Sequence, residues 1–282
     1  MILVVLFAMF AVPPNTSASV ENAVIVQPVA NLYSNPSADA DVVSQAIFST
    51  NVGILERNAD WLRIRTPDDY TGWIPSSSAT KSKPYAQAGE TAQVSSLFAS
   101  LYREPDITKH QPVITIPFES KLELAGTPVD GRFIQVRLPD GRTAWIQAGD
   151  ITKTLPTMTI PEVIEWSKRF VGLPYLWGGV STFGYDCSGF MQMLYRRLGY
   201  VLPRDAGPQA NWDGLKPVEK SDLQPGDLLY FGSSPQKITH TGMYIGDGQF
   251  INATAYQHPI VQICHLGDEH WTRLLVAARR IK

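Results

Sequence analysis

Only two cysteines, Cys187 and Cys264, occur in 282 residues, which excludes a disulfide framework and any multi-cysteine zinc site. One bridge or two free thiols remain open. Positive charge is not in excess either: 24 Lys and Arg face 26 Asp and Glu, a net charge of -2. The basic field that sequence-independent nucleic-acid binding needs is therefore missing. No apolar run reaches the roughly 20 residues that span a bilayer. Residues 1–12 are apolar and are followed by Pro13, Pro14 and the small residues Thr16, Ser17, Ala18 and Ser19. That pattern is expected of a signal peptide over residues 1–19, directing a secreted or periplasmic protein, although no Lys or Arg precedes Arg57. A buried N-terminal strand is the alternative.

Apolar residues are plentiful at 44%, with 7 Trp, 11 Tyr and 11 Phe, so packed cores are expected and a disordered chain is excluded. The length suits about two domains. With 21 Gly and 21 Pro, many short strands joined by turns are expected.

An internal repeat fills residues 24–153. Segment 61–74 aligns without a gap on 133–146, pairing Arg65 with Arg137, Pro67 with Pro139, Asp68 with Asp140, Thr71 with Thr143, Trp73 with Trp145 and Ile74 with Ile146. Upstream, Leu32-Tyr33 and Pro36 are echoed by Leu101-Tyr102 and Pro105. Apolar and polar residues alternate around a Pro-Asp turn in each copy, which signals a β-hairpin. Trp145 is expected to fill a barrel core, and for Trp73 a core position is one of the readings left open. Beyond a linker at 151–160, Thr159 before Pro161 and Glu162 marks a helix N-terminus. Val163, Ile164, Trp166, Phe170 and Val171 fit one face of that helix.

Candidate chemistry lies in the last third. Cys187 follows a glycine-rich loop and opens a helix stopped by Gly199. Unpaired N–H groups and the helix dipole there favour a thiolate, as a nucleophile requires. Its polar neighbours Asp186 and Ser188 argue against a buried structural cysteine. Of five histidines, His110, His258, His265 and His270 fall in expected loops. His240 alone begins an alternating strand, which turns at Gly246-Asp247-Gly248 into a second strand over 249–254. Asn252, the one polar residue in its neighbourhood there, suits the role of fixing the imidazole tautomer, with a strand-end residue bonding the backbone as the alternative. Cys264 falls in an apolar alternation that suits a strand core.

Together these segments resemble a known family. Tyr175-Leu-Trp-Gly-Gly, Asp186-Cys-Ser-Gly-Phe, Leu223-Gln-Pro-Gly-Asp and His240-Thr-Gly-Met-Tyr-Ile-Gly, in that order, resemble the NlpC/P60 cysteine peptidases. The two repeats resemble bacterial SH3 (SH3b) domains. The resemblance implies an α+β protein: SH3b barrels at 24–80 and 85–153, then a papain-like domain at 157–282. It implies Cys187 as nucleophile, His240 as base, Asn252 in a third position more often occupied by His, and Tyr175 at the oxyanion. Trp177, Asp186, Ser188 and Asp205 would meet substrate, and so would Tyr70, from the first barrel.

With two SH3b units in front, the chain is similar to γ-D-glutamyl-L-diamino-acid endopeptidases. The implied partner is a peptidoglycan stem peptide or muropeptide, cut by a monomeric enzyme with no cofactor, metal, nucleic acid or membrane span. In that subgroup an acidic residue of the first SH3b unit binds the free amino group of L-Ala. The matching position here is Asn35, which is not acidic, and Asp69 is a candidate substitute. A wall-binding module or an acyltransferase on the same residues is the alternative.

Overall fold

The computed structural model describes residues 21–126 and 128–282; the expected signal peptide lies outside them. The first seven strands are β1 (Glu21–Ile25), β2 (Val29–Tyr33), β3 (Val42–Ile47), β4 (Asn51–Asn58), β5 (Trp61–Arg65), β6 (Thr71–Pro75) and β7 (Ala79–Lys81). The next seven are β8 (Thr91–Val94), β9 (Phe98–Tyr102), β10 (Ile114–Pro117), β11 (Lys121–Leu124), β12 (Phe133–Arg137), β13 (Thr143–Gln147) and β14 (Ile151–Thr152). Their sheets run in the orders β3-β2-β6-β5-β4-β1-β7 and β10-β9-β13-β12-β11-β8-β14. Adding seven to each label turns the first order into the second, so the repeat in sequence is a repeat in topology.

The Pro-Asp turns join β5 to β6 and β12 to β13 as the alternation requires. Their third positions share a left-handed backbone, Asp69 at φ 62° and Gly141 at φ 86°. Only the second copy places there the residue that adopts it without cost. Trp145 departs from expectation, and Trp73 behaves in the same way. Ile74 and Ile146 are fully buried, so their strand neighbours Trp73 and Trp145 point to the outer face and are only half-buried. Side chains alternate along a strand, and the smaller residues took the inside.

In the last third, α1 (Ile160–Ser167) starts where Glu162 accepts the Thr159 backbone N–H at 2.7 Å. The helix ends sooner than its apolar pattern suggests: a 3₁₀ turn covers Lys168–Phe170, and Val171 is exposed. A short hairpin, β15 (Val180–Ser181) with β16 (Gly184–Tyr185), precedes α2 (Cys187–Arg197) and α3 (Ala206–Ala210). The remaining strands are β17 (Leu215–Val218), β18 (Leu228–Ser234), β19 (Lys237–Gly246), β20 (Gln249–Thr254), β21 (Ile260–His265) and β22 (Leu275–Ile281), with α4 (Glu269–Leu274) before the last. They form one antiparallel sheet ordered β17-β22-β18-β19-β20-β21.

The core lies between helix and sheet, where Phe190, Met191 and Leu194 of α2 meet Met243, Ile251 and Ala253. Burial of such side chains contributes about 1.5–3 kcal/mol each. That packing fixes α2 against β19 and β20, the two strands that carry His240 and Asn252. No helix among the described residues is long and apolar enough to cross a membrane.

Candidate active site

Cys187 is the first residue of α2, and Asp186 caps that helix by accepting the Gly189 N–H at 2.7 Å. The preceding loop is pressed onto the helix start. The Asp186 N–H donates to the Gly179 carbonyl at 3.0 Å, and a Cβ on Gly189 would sit 2.2 Å from that same oxygen. The glycines of this motif are therefore required by backbone-to-backbone contact. Tyr175 is pinned from the other side, its N–H donating to the Pro259 carbonyl at 2.8 Å.

His240 lies opposite Phe231 in the β18–β19 register. Its Nε2 meets Asn252 Oδ1 at 2.9 Å. The Asn252 amide nitrogen donates to the Gln262 carbonyl at 3.2 Å and to Cys264 Sγ at 3.4 Å. Those two acceptors set the amide with its oxygen toward the imidazole, so Nε2 carries the proton and Nδ1 is left as the basic nitrogen. The Trp271 ring stacks on His240 at 5.1 Å and 28°. Asn252 is fully buried. Both thiols are free, and Cys264 is half-buried in β21, beside Asn252 and packed against the core around Phe250 and Trp271. His265 ends β21 and His270 lies in α4, stacked on Tyr256 at 3.7 Å, so neither is in a loop.

Burial dominates the electrostatics. It pushes the Cys187 thiol up to about 12, with the Asp186 carboxylate adding to the effect and the Thr241 N–H opposing it. Burial also lowers the His240 imidazole to about 4, against its hydrogen bond to the Asn252 oxygen. A lone thiolate and a lone imidazolium are thus each disfavoured. Desolvation works against the standing thiolate that the helix start favours. The Tyr175 hydroxyl is raised well above its ordinary value, by burial and then by Cys187, so it remains a donor.

A cavity of about 730 Å³ opens over Cys187. Tyr175, Trp177, Asp186, Ser188 and Asp205 line it from the last third of the chain, and Tyr70 reaches it from the first barrel. Tyr70 donates to Asp205 Oδ2 at 3.4 Å. Trp177 is 68% exposed and forms an outer wall.

Asp186 and Ser188, expected to meet substrate, are engaged internally. Arg204 holds Asp186 with Nη1 at 3.0 Å and Nη2 at 2.5 Å, and Ser188 Oγ with Nη1 at 2.9 Å. The acidic residue that the first barrel brings to the cavity is Asp41; Asn35 and Asp69 are not among its lining residues. Sequence reading missed Asp41, Arg204 and Trp271. A charged residue within Pro203-Arg-Asp-Ala was the one available signal for Arg204.

Asn252→Ala is expected to lower kcat/KM by about 10–100-fold, less than any loss at His240. On the reading that His240 moves the proton and Asn252 only orients it, the loss at Asn252 is the smaller one. Steady-state kinetics with circular dichroism on both variants checks this; equal losses with an intact fold would contradict it.

Comparison with known proteins agrees with this geometry. Residues 172–280 match the NlpC/P60 family, and residues 32–78 match the bacterial dipeptidyl-peptidase SH3 domain. The chain is 32% identical to a gamma-D-glutamyl-L-lysine dipeptidyl-peptidase of Bacillus cereus over 84% of this chain and 74% of that one. It is 30% identical to the protein of the same name from Bacillus subtilis, over 86% and 82%. A crystal structure of an NlpC/P60 family protein from Bacillus cereus superposes with a TM-score of 0.80 at 27% identity, covering 92% of this chain and 99% of that one. Shared over most of both lengths, barrels and catalytic sheet alike, these matches make the chain a peptidase of the NlpC/P60 family.

Proposed function

We propose that the enzyme hydrolyses the bond between the γ-carboxyl of D-Glu and the following diamino acid in peptidoglycan stem peptides or released muropeptides. Relatives named as gamma-D-glutamyl-L-lysine dipeptidyl-peptidases support this substrate class. The observation that carries it is the cavity over Cys187, one wall of which comes from the first barrel. Asp41 and Asp205 place two carboxylates there, with the Tyr70 hydroxyl beside Asp205. Such a wall suits a protonated amine, and the free amino group of L-Ala at the end of a short stem peptide supplies one.

In this mechanism His240 Nδ1 takes the Cys187 proton as sulfur attacks the γ-carbonyl carbon. The Tyr175 hydroxyl and the Cys187 N–H, which as a first-turn group has no intrahelical acceptor, hold the oxyanion. The imidazolium then protonates the leaving amine, the C–N bond breaks, and a thioester remains. His240 next takes a proton from water, whose oxygen attacks the thioester; the C–S bond breaks and the thiol is restored. The same reading includes export of the chain by residues 1–19, supported by their apolar run and small-residue zone.

Mass spectrometry of L-Ala-γ-D-Glu-meso-diaminopimelate, free and N-acetylated, tests the proposal. The free tripeptide should be cut and the acetylated one strongly slowed. Cleavage of polymeric wall but of neither tripeptide would overturn the reading. Tyr70→Ala should raise KM for the tripeptide by about tenfold with kcat nearly constant, the signature of lost uniform binding. Arg142→Ala should leave it unchanged, because Arg142 sits at the equivalent place in the second barrel, paired with Asp140 at 2.7 Å and outside the cavity. If instead Tyr70→Ala weakened binding to sedimented wall alone, both barrels would be anchors.

A further inference from the structure

Arg204 is among the most deeply buried cations described, with 2% of its side chain exposed. Burying a guanidinium is costly unless every donor finds an acceptor, and here the acceptors come from two separate folding units. Nε donates to Ser44 Oγ of β3 at 2.9 Å, across 160 positions of sequence. Nη1 and Nη2 hold Asp186 and Ser188, which flank Cys187. We infer that Arg204 is a positioning residue: one guanidinium joins the first barrel to the turn that carries the nucleophile and keeps that turn in its reactive geometry. The inference rests on the proposed role of Cys187 as nucleophile.

Two consequences follow from the geometry. Asp186 is both the cap of α2 and the anion beside the thiol, so whatever fixes its carboxylate fixes the first helical turn. The guanidinium also balances the negative charge that opposes loss of the thiol proton; Asp186 raises the Cys187 pKa and Arg204 lowers it. Other contacts run in parallel. Gln45 Oε1 of β3 accepts the Val180 N–H at 3.2 Å, and Gln192 of α2 donates to Asp68 at 3.1 Å. These seat the barrel, but Arg204 is the side chain that touches both Ser44 and the neighbours of the cysteine.

The test uses the full chain and a readout independent of substrate, the rate at which iodoacetamide alkylates Cys187 as a function of pH, followed by mass spectrometry. Arg204→Gln keeps much of the volume and loses the charge. We expect its alkylation at neutral pH to fall by about tenfold and its pH midpoint to rise by about one unit. In kinetics, kcat should fall by a similar factor with KM within about threefold. Asp186→Asn combined with Arg204→Gln should recover most of the alkylation rate, because neither charge is then left alone. A midpoint and rate equal to wild type in Arg204→Gln would overturn the inference. So would faster alkylation at every pH, which marks a merely loosened structure.

If Arg204→Gln fails to fold, Ser44→Ala decides. It removes only the barrel-side acceptor and should lower kcat by about threefold with KM unchanged; kinetics identical to wild type would overturn the link. Cys187→Ala separates this from the proposed function. Hydrolysis that survives in that variant refutes the nucleophile, whatever the Arg204 variants do.

Discussion

His240→Ala should lower hydrolysis by at least about a thousandfold and, in parallel, silence Cys187 toward iodoacetamide at neutral pH. The reason is the shared burial of the two groups. A thiol pushed up to about 12 by its surroundings is almost wholly protonated near neutrality unless a neighbour accepts the proton. Without the imidazole, the proposed acceptor of that proton is gone. The measurement is alkylation followed by mass spectrometry, with Cys187→Ala as the blank. Wild-type alkylation in the His240 variant would show that the thiol is ionised by the helix alone.

The same burial gives a stability signature. The folded imidazole sits near 4 against an ordinary value of 6.5. Between those values the unfolded chain binds the proton and the folded one does not. The contribution of His240 to stability is thus present above about 6.5 and is lost as pH falls toward 4. His240→Ala should flatten that part of a melting-temperature profile.

Tyr175→Phe should reduce kcat by about 10²–10³-fold with little change in KM, since an oxyanion donor acts on charge that exists only in the transition state. Burial keeps the Tyr175 hydroxyl protonated throughout the working range, so the loss should be independent of pH. Steady-state kinetics from mildly acid to mildly alkaline pH would expose a different role. A rise in KM at constant kcat would make Tyr175 a binding residue and leave the Cys187 N–H as the main donor.

Much of this architecture was legible before any coordinates. The aligned segments 61–74 and 133–146 became strands of identical order because a duplicated alternation folds the same way twice. Cys187, His240 and Asn252 stood out because each carries its signal locally: a polar residue in an apolar alternation, or a cysteine at a helix start. What escaped was nonlocal. Arg204 reads as an ordinary charged residue, for its acceptors lie 18 and 160 positions away. Asp41 is invisible as a site residue until the barrel is docked. The outward turn of Trp145 was hidden because an alternating strand does not state which of its faces is inner. The protonation of Cys187 depends on how much water is excluded, which is a property of packing and not of its neighbours in sequence.

One wall of the cavity belongs to a unit that has its own sheet and its own core. On the proposed function, the residues that meet one end of the substrate and the residues that break its bond therefore lie on separate folding units. Selectivity can drift by substitutions around Asp41, Val42 and Tyr70 while the glycine loop, where Gly189 lies against Gly179 with no room for a side chain, stays constant. Exchanging the first barrel between relatives is then a route to new substrate ends that leaves the chemistry untouched, provided the incoming barrel still presents a hydroxyl where Ser44 meets Arg204.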